Sequence, residues 1–425
     1  MKKKKAPLVR RMKEFVKTSV VWGPLDHNLF FTIIFLNVYG IIMVYSASYN
    51  NSITKNYSYF MNNQLKNVIF GFVIMIVASY VNYHRIVRLG WGWFWLLAAV
   101  AIIAALKTPL AHSELGATRW IKLGPVSFQA AEPIKAAIII FFAYYVSYWG
   151  LNRWYNQLLA CLLAIALLGF LFFFSNNLST VIVLFCICAV IILSSVKKPD
   201  LYWYFLLGLA LIIIAAIFVT VYLLMHQGAE NFRFVRIRAW LHPEEYAADE
   251  GLQAMQARYA IGAGGFWGKG LGQSLIKFKL SYSYNDFILA IICEELGVFG
   301  VIVMMTLFGY LLYRIYKIAQ NAWDIEGKVL AIGVFTQIAL QLLINVMVVT
   351  SVIPTTGVTL PFFSAGGTSV VFLLAELGMV LNVDKYAKER RFFEEAERHV
   401  AQMEQRGSIG AAGWRRRLDS ARTRR

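Results

Sequence analysis

The sequence predicts an all-α polytopic membrane protein of about ten transmembrane helices, and three observations carry that prediction. Of 425 residues, 59% are hydrophobic, 15% aromatic and only 15% charged, with a mean hydropathy of +0.58. A soluble domain carries nearer a quarter charged residues. Apolar runs of roughly 17–25 residues recur along the chain, each long enough to cross a hydrocarbon core as a helix. Finally, the basic residues gather at alternate ends of these runs.

The runs fall at 28–47, 65–83, 90–107, 132–149, 156–174, 178–195, 201–225, 286–313, 328–350 and 361–383. Only "SNN" separates the fifth from the sixth, which predicts a tight hairpin. An even number of spans puts both ends on one side. The ends read "MKKKKAPLVRRMK" and "KYAKERR…WRRRL…RTRR"; with the short loops "HRIVR", "NR", "KK" and "RIYK…GK" they hold more than half of the 41 Lys and Arg. The positive-inside rule therefore makes both termini cytoplasmic. Residues 1–27 form a basic tail, 28–384 a ten-helix membrane domain, and 385–425 a second basic tail, too polar to fold alone and expected to be disordered. The first run spans the bilayer with no small-residue cleavage site after it, so it does not read as a cleavable signal peptide.

These features exclude several function classes. The basic tails are orientation signals and contacts to anionic lipid, because no basic patch sits on a recognisable nucleic-acid reading fold. Cys161, Cys186, Cys188 and Cys293 all lie inside spans as packing residues, with no disulfide framework. The six histidines are scattered, with no HExxH and no metal-ligand spacing, and there is no G-x-S-x-G nucleophile elbow.

The largest pieces outside the membrane, 226–285 and 108–131, both face outward in this topology. Chemistry at a water interface then belongs on the external face, away from cytosolic nucleotides. Residues 226–285 contain "FRFVRIRAWLHPEE", where Arg233, Arg236 and Arg238 interleave with Phe232, Phe234 and Trp240. That pattern suits a short interfacial helix, either as an anchor or as a binder of anionic headgroups. "IGAGGFWGKGLGQS" follows. It fails the Walker A spacing, yet its glycine amides with Lys269, Lys277 and Lys279 could hold a phosphate.

Three carboxylates open span eight in "YNDFILAIICEELGVFG". Asp286 stands at the outer end, and by spacing alone it reads as a helix cap. Glu294 lies roughly 12 Å deeper at 1.5 Å per residue. Glu294 and Glu295 must face the bundle interior or pair with cations, so they read as structural ion pairs. In "QAAEPIKAAIII", Glu132 and Lys135 are three apart, hence on one helix face. The stretch "TSVIPTTGVTLPFFSAGGTS" breaks its helix at Pro354, Gly357, Pro361, Gly366 and Gly367. Broken backbone at membrane depth is tolerated only where it is buried in protein or lines a cavity. An outward-facing cavity near spans four, eight, nine and ten is the expectation.

Taken together, these motifs resemble the SEDS family (shape, elongation, division and sporulation). "NDFILAIICEELGVFG" is similar to its T-D-F-I-F-A-x-x-x-E-E-L-G-x-x-G, and "IPTTGVTLPFFSAGGTS" to its P-x-T-G-x-x-L-P-F-x-S-Y-G-G-S-S. "GATRWIKLGPVSFQAAEPIK" resembles G-A-x-R-W-I…F-Q-P-S-E-x-x-K; "NNLST" and "MVYSAS" match two shorter motifs in order. The resemblance covers about residues 25–385. "GKGLGQS" followed by "IKF" is closer to the FtsW-type pattern than to the RodA type, with a sporulation-specific paralogue of that subgroup left open.

The resemblance implies a peptidoglycan glycosyltransferase that polymerises lipid II, an undecaprenyl-pyrophosphate disaccharide pentapeptide, on the outer leaflet, with septal cell-wall synthesis during cell division as its setting. It implies Asp286 as the catalytic general base, in place of the capping role. It places Arg119, Glu132 and Lys135 in the cavity, with Lys135 and Lys269 as phosphate partners and Ser364, Gly366 and Gly367 along the substrate. It also implies a class B penicillin-binding protein as partner, with other division proteins. A pyrophosphate substrate makes a divalent cation such as Mg or Mn conceivable, but the sequence shows no ligand set. The chain departs from the family's pattern at Ala130, Ala131, Asn177, Asn285 and Ala365, several of them around the expected cavity. A lipid II transporter and a non-catalytic division scaffold are the competing readings.

Overall fold

In lipid a backbone N–H must find its partner within its own segment, so long apolar runs become helices. The computed structural model describes residues 21, 23–48, 59–109, 111–114, 117–123, 126–175, 177–196, 232–246, 250–278, 286–364, 367–406 and 412–416. Its helices are α1 (His27–Ser48), α2 (Tyr59–Tyr80), α3 (Tyr83–Val87), α4 (Trp93–Ala105), α5 (Ala131–Trp149), α6 (Trp154–Ser175), α7 (Leu178–Ser195), α8 (Phe232–Leu241), α9 (Glu250–Gly264), α10 (Ile288–Asn321), α11 (Ile325–Val349) and α12 (Thr368–Gln405). Six of them, α1, α2, α6, α7, α10 and α11, are long and apolar enough to cross a membrane. Helices α4, α5 and α12 stand at three further expected spans, and the expected seventh span, 201–225, lies outside the described residues.

The spans show the inside-out economy of a bundle in lipid. Phe35, Phe70 and Phe173 are 58%, 59% and 71% exposed on helices α1, α2 and α6. Lipid tails are as apolar as these rings, so nothing needs to cover them. The buried faces pack in a connected core: α12 runs along α2, α10 lies against α1, α9 and α11, and α11 lies against α5 and α7.

Three local departures from the sequence expectation have physical causes. The third span opens with a 3-10 turn at Leu89–Gly92, because Gly90 and Gly92 take left-handed φ of 57° and 77° before α4 can start. Residues 111–129 form a three-stranded antiparallel sheet, β1 (Ala111–Glu114), β2 (Ala117–Leu123) and β3 (Val126–Gln129), in order β1-β2-β3. The alternating "ATRWIKL", followed in sequence by Gly-Pro, is a strand-and-turn signal set within an otherwise helical chain. The last span begins only at Thr368, beyond the Pro and Gly breaks. It then runs on as helix to Gln405, through the tail expected to be disordered. Ion pairs one turn apart, Asp384–Lys388 at 2.7 Å and Glu394–Arg398 at 3.9 Å, support that extension.

At the end of the bundle holding the "HRIVR" loop, polar side chains tie helices together. Asp324 caps α11 by accepting from the Gly327 amide at 2.8 Å, and it also accepts from Tyr83 Oη at 2.7 Å. His84 Nε2 lies 2.6 Å from the same carboxylate, while Arg88 and Ser147 both bond Glu326 Oε1.

Candidate active site

Helix α5 starts at the opposite end, directly after β3, with Pro133 in its first turn. That start places Glu132 and Lys135 at the N-terminal end of a mostly apolar helix, the end expected to face outward. The two pair at 2.8 Å, with side chains only 6% and 3% exposed. A buried charge is tolerated when paired and bonded in this way.

Beside the pair lies a narrow cleft. One wall is the start of α5, with Gln129, Glu132 and Lys135; another is the start of α7, with Asn177, Ser179 and Thr180. Gln341 of α11 and the backbone of Gly357–Thr359 close it. Ser179 Oγ donates to the Thr356 carbonyl at 2.8 Å, holding the broken segment against α7. A second cleft shares Glu132, Gln341 and Thr359 and continues along Leu360–Phe362, Ser364 and Ser369. Residues 357–362, 364 and 369 of the helix-breaking segment therefore line a cavity.

Asp286 stands just outside the first turn of α10 and is half-buried. Its carbonyl accepts from Asn345 Nδ2 at 2.9 Å, and the same amide donates to the Val358 carbonyl, also at 2.9 Å. Asn345 thus fastens the N-terminal tip of α10 to a residue of the cleft wall. Arg119 lies on β2, where Thr118 and Trp120 face the consecutive residues Ser113 and His112. Arg119 is therefore the extra residue of a β-bulge, a device that re-aims a strand position.

The remaining expected residues divide. Ser364 lines the second cleft, and its Oγ accepts from the Leu360 amide at 2.8 Å. Gly367 precedes α12 with φ 54°, and Gly366 lies outside the described residues. Lys269 is not brought to the clefts: its ammonium bonds Glu294 Oε1 at 2.8 Å. Nor are the glycine-loop amides available to a phosphate. Those of Gly268–Gly270 donate to main-chain carbonyls, that of Gly272 to Ser46, and those of Ser274–Ile276 to Glu294 or Glu295. Lys277 is buried, 3.5 Å from Glu295 and 2.7 Å from the Gly272 carbonyl, and Lys279 lies outside the described residues.

The structure adds residues that the sequence reading passed over. Gln337, Gln341 and Asn345 recur every four residues on α11, making one polar stripe on an apolar helix. Gln341 lines both clefts, Asn345 holds Asp286, and Gln337 Nε2 donates to the buried Glu376 at 2.7 Å. The spacing was visible in "TQIALQLLIN", and polar residues inside a span are functional candidates by default. Among the described residues no three His, Cys, Asp or Glu gather as a metal site.

Comparison with known proteins follows the geometry. The model of the cell cycle protein family FtsW/RodA/SpoVE matches residues 26–389. The probable peptidoglycan glycosyltransferase FtsW of Trichlorobacter lovleyi is 31% identical over 382 residues, covering 88% of this chain and 96% of that protein. The stage V sporulation protein E of Bacillus subtilis is 33% identical over 370 residues, covering 84% and 96%. Among solved structures, a chain of a peptidoglycan synthase complex superposes with TM-score 0.72 at 22% identity, over 86% of this chain and 99% of that one. Thermus thermophilus RodA superposes with TM-score 0.61 at 22% identity, over 85% and 97%. These likenesses carry the fold, and the family match spans most of the sequence. The chain is a multi-pass membrane protein belonging to the FtsW/RodA/SpoVE family of cell cycle proteins.

Proposed function

We propose that this protein is a peptidoglycan glycosyltransferase that polymerises lipid II into β-1,4 glycan strands on the outer face of the cytoplasmic membrane. The observation that carries the reading is the outward cleft holding a buried Glu132–Lys135 pair, with Asp286 fastened to its wall through Asn345. The names of the FtsW relatives support the activity and a septal setting. The basic loops and tails support cytoplasmic termini.

The donor arrives activated by its pyrophosphate, so no nucleotide is needed. The acceptor's sugar hydroxyl oxygen attacks the donor's anomeric carbon. As that C–O bond forms, the bond to the phosphate oxygen breaks, and its electrons leave with undecaprenyl pyrophosphate. Asp286, at the water boundary, takes the hydroxyl proton as general base. Lys135 offsets charge developing on the departing pyrophosphate, with Arg119 as a second cation. Glu132 holds Lys135 in place until substrate arrives. Ser364 lines the second cleft, suited to the remainder of the substrate, and Gly366 and Gly367 follow it in the sequence as further candidates for that contact. Lys269 acts on Glu294 instead of on substrate. A class B penicillin-binding protein is the cross-linking partner in this reading, supported by the likeness to a chain of a polymerising and cross-linking complex.

The test is glycan polymerisation from purified lipid II by wild type and Asp286→Asn, each with its cognate penicillin-binding protein made transpeptidase-dead. Polymer from wild type and none from a well-folded variant is the expected outcome. Equal polymer from both would remove Asp286 from the chemistry. No polymer from either, with folded complexes, would return the transporter and scaffold readings.

A further inference from the structure

Helix α10 is two helices joined at a break, and the break is filled by another part of the chain. Gly297 sits at φ 66°, ψ −164°, about 14 Å below the outer start of α10 at 1.5 Å per residue. An unbroken helix would bond the Val298 amide to the Glu294 carbonyl, and Phe299 to Glu295. Here both amides turn to the glycine loop after α9: Val298 donates to the Gly265 carbonyl at 3.0 Å and Phe299 to Phe266 at 3.1 Å. The two released carbonyls accept from the same loop, Glu294 from the Lys269 amide and Glu295 from Gly270, each at 2.9 Å. Four bonds to residues 265–270 replace two bonds of the helix. A Cβ at Gly297 or Gly268 would collide with the facing main chain, so glycine at both positions lets the backbones meet.

Side chains lock the same junction. Glu294 accepts from Lys269 Nζ, Ser274 Oγ and the amides of Leu275 and Ile276. Glu295 accepts from Ser46 Oγ at the end of α1 and from the Ser274 amide, with Lys277 Nζ 3.5 Å away. The outer segment of α10, residues 288–296, is thus tied to the loop and to the end of α1 where its hydrogen-bond ladder to the inner segment is broken, while Asn345 of α11 holds its tip. Asp286 stands at its tip.

The geometry points to Lys269, with Glu294, as a positioning pair: the loop 265–277 clamps the outer segment of α10, residues 288–296, and so sets where Asp286 meets the cleft. This rests on the catalytic reading of Asp286 given above. It gives the glycine loop a task other than phosphate binding, and it makes the outer segment 250–278 a control point for the reaction.

The full-length chain, assayed with its transpeptidase-dead partner, tests this through kcat and KM for lipid II together with amide hydrogen exchange. Lys269→Met is expected to lower kcat about tenfold to a hundredfold, the cost of a small misplacement of a reacting group, with KM nearly unchanged. Exchange should quicken in residues 288–296 and stay slow in 300–321. Lys269→Arg should restore both, and Ser46→Ala should show the same pattern more weakly in a fold that keeps its charges. A raised KM with unchanged kcat would make Lys269 a substrate contact and overturn the proposal. So would unchanged exchange, or exchange that quickens along the whole of α10. If Asp286→Asn polymerises like wild type, the catalytic reading fails separately. Exchange confined to 288–296 in Lys269→Met then still decides whether the clamp exists.

Discussion

Lys135 and Glu132 depend on one another more than on anything else in the cleft. Removing one member of a buried ion pair leaves the other charged and unpaired, at a cost of roughly 3–5 kcal/mol. Lys135→Met should therefore lower the thermal unfolding midpoint in detergent markedly. The double variant Glu132→Gln with Lys135→Met should recover most of that stability and remain inactive in polymerisation. An active double variant would show that no cation at position 135 is needed for the leaving group. Asp324, at the other end of the bundle, gives a pH dependence. Burial raises its pKa, but hydrogen bonds from His84, the Gly327 amide and Tyr83 outweigh that and hold the carboxyl below its ordinary value. A depressed carboxyl contributes stability that is present above its unfolded pKa of about 3.9 and is lost as pH falls through the lower folded value. Asp324→Asn should lower the unfolding midpoint at neutral pH and remove that part of the acid sensitivity. Melting curves from pH 7 down to about 3 would check both.

At the scale of elements, the glycine junction of α10 makes a sharp demand. Gly297→Ala must place a side chain at positive φ and against the main chain of residues 266–268, so it should destabilise the protein by more than about 1 kcal/mol. Exchange should rise first in residues 265–270 and 288–296. The elements also show what was legible in the sequence. Long apolar runs marked the spans well because length and hydropathy alone decide them in lipid. The breaks at Gly357 and Pro361 marked a cavity wall because broken backbone at membrane depth must be buried in protein or line a cavity. The sheet at 111–129 was missed because one alternating stretch is a weak signal in a chain dominated by helix. The role of "IGAGGFWGKGLGQS" was missed because spacing within one segment cannot reveal that its partner is a helix carbonyl some 25 residues on, as the Glu294 carbonyl is for the Lys269 amide. Asp286 was assigned through family resemblance; spacing alone gave it a cap's role.

Across the whole molecule, polarity separates the two ends. Trp267, 74% exposed in the glycine loop, belongs to the expected outer end, and Phe392, 66% exposed on the extension of α12, to the expected inner end. In a background lacking the four native cysteines, Trp267→Cys should react with an impermeant maleimide on intact cells. Phe392→Cys should react only after permeabilisation. The reverse pattern would invert the proposed orientation. The cleft itself draws its walls from residues 129–135, 177–183, 341 and 357–359, so its parts leave the ribosome far apart in time. Helix α5 enters the bilayer carrying Glu132 and Lys135 long before Gln341 exists to sit beside them. The nascent chain must shelter that pair until Gln341 emerges about 200 residues later, through their mutual contact and the insertion machinery, so residues 132–135 carry a demand that arises during biogenesis and not in the finished fold.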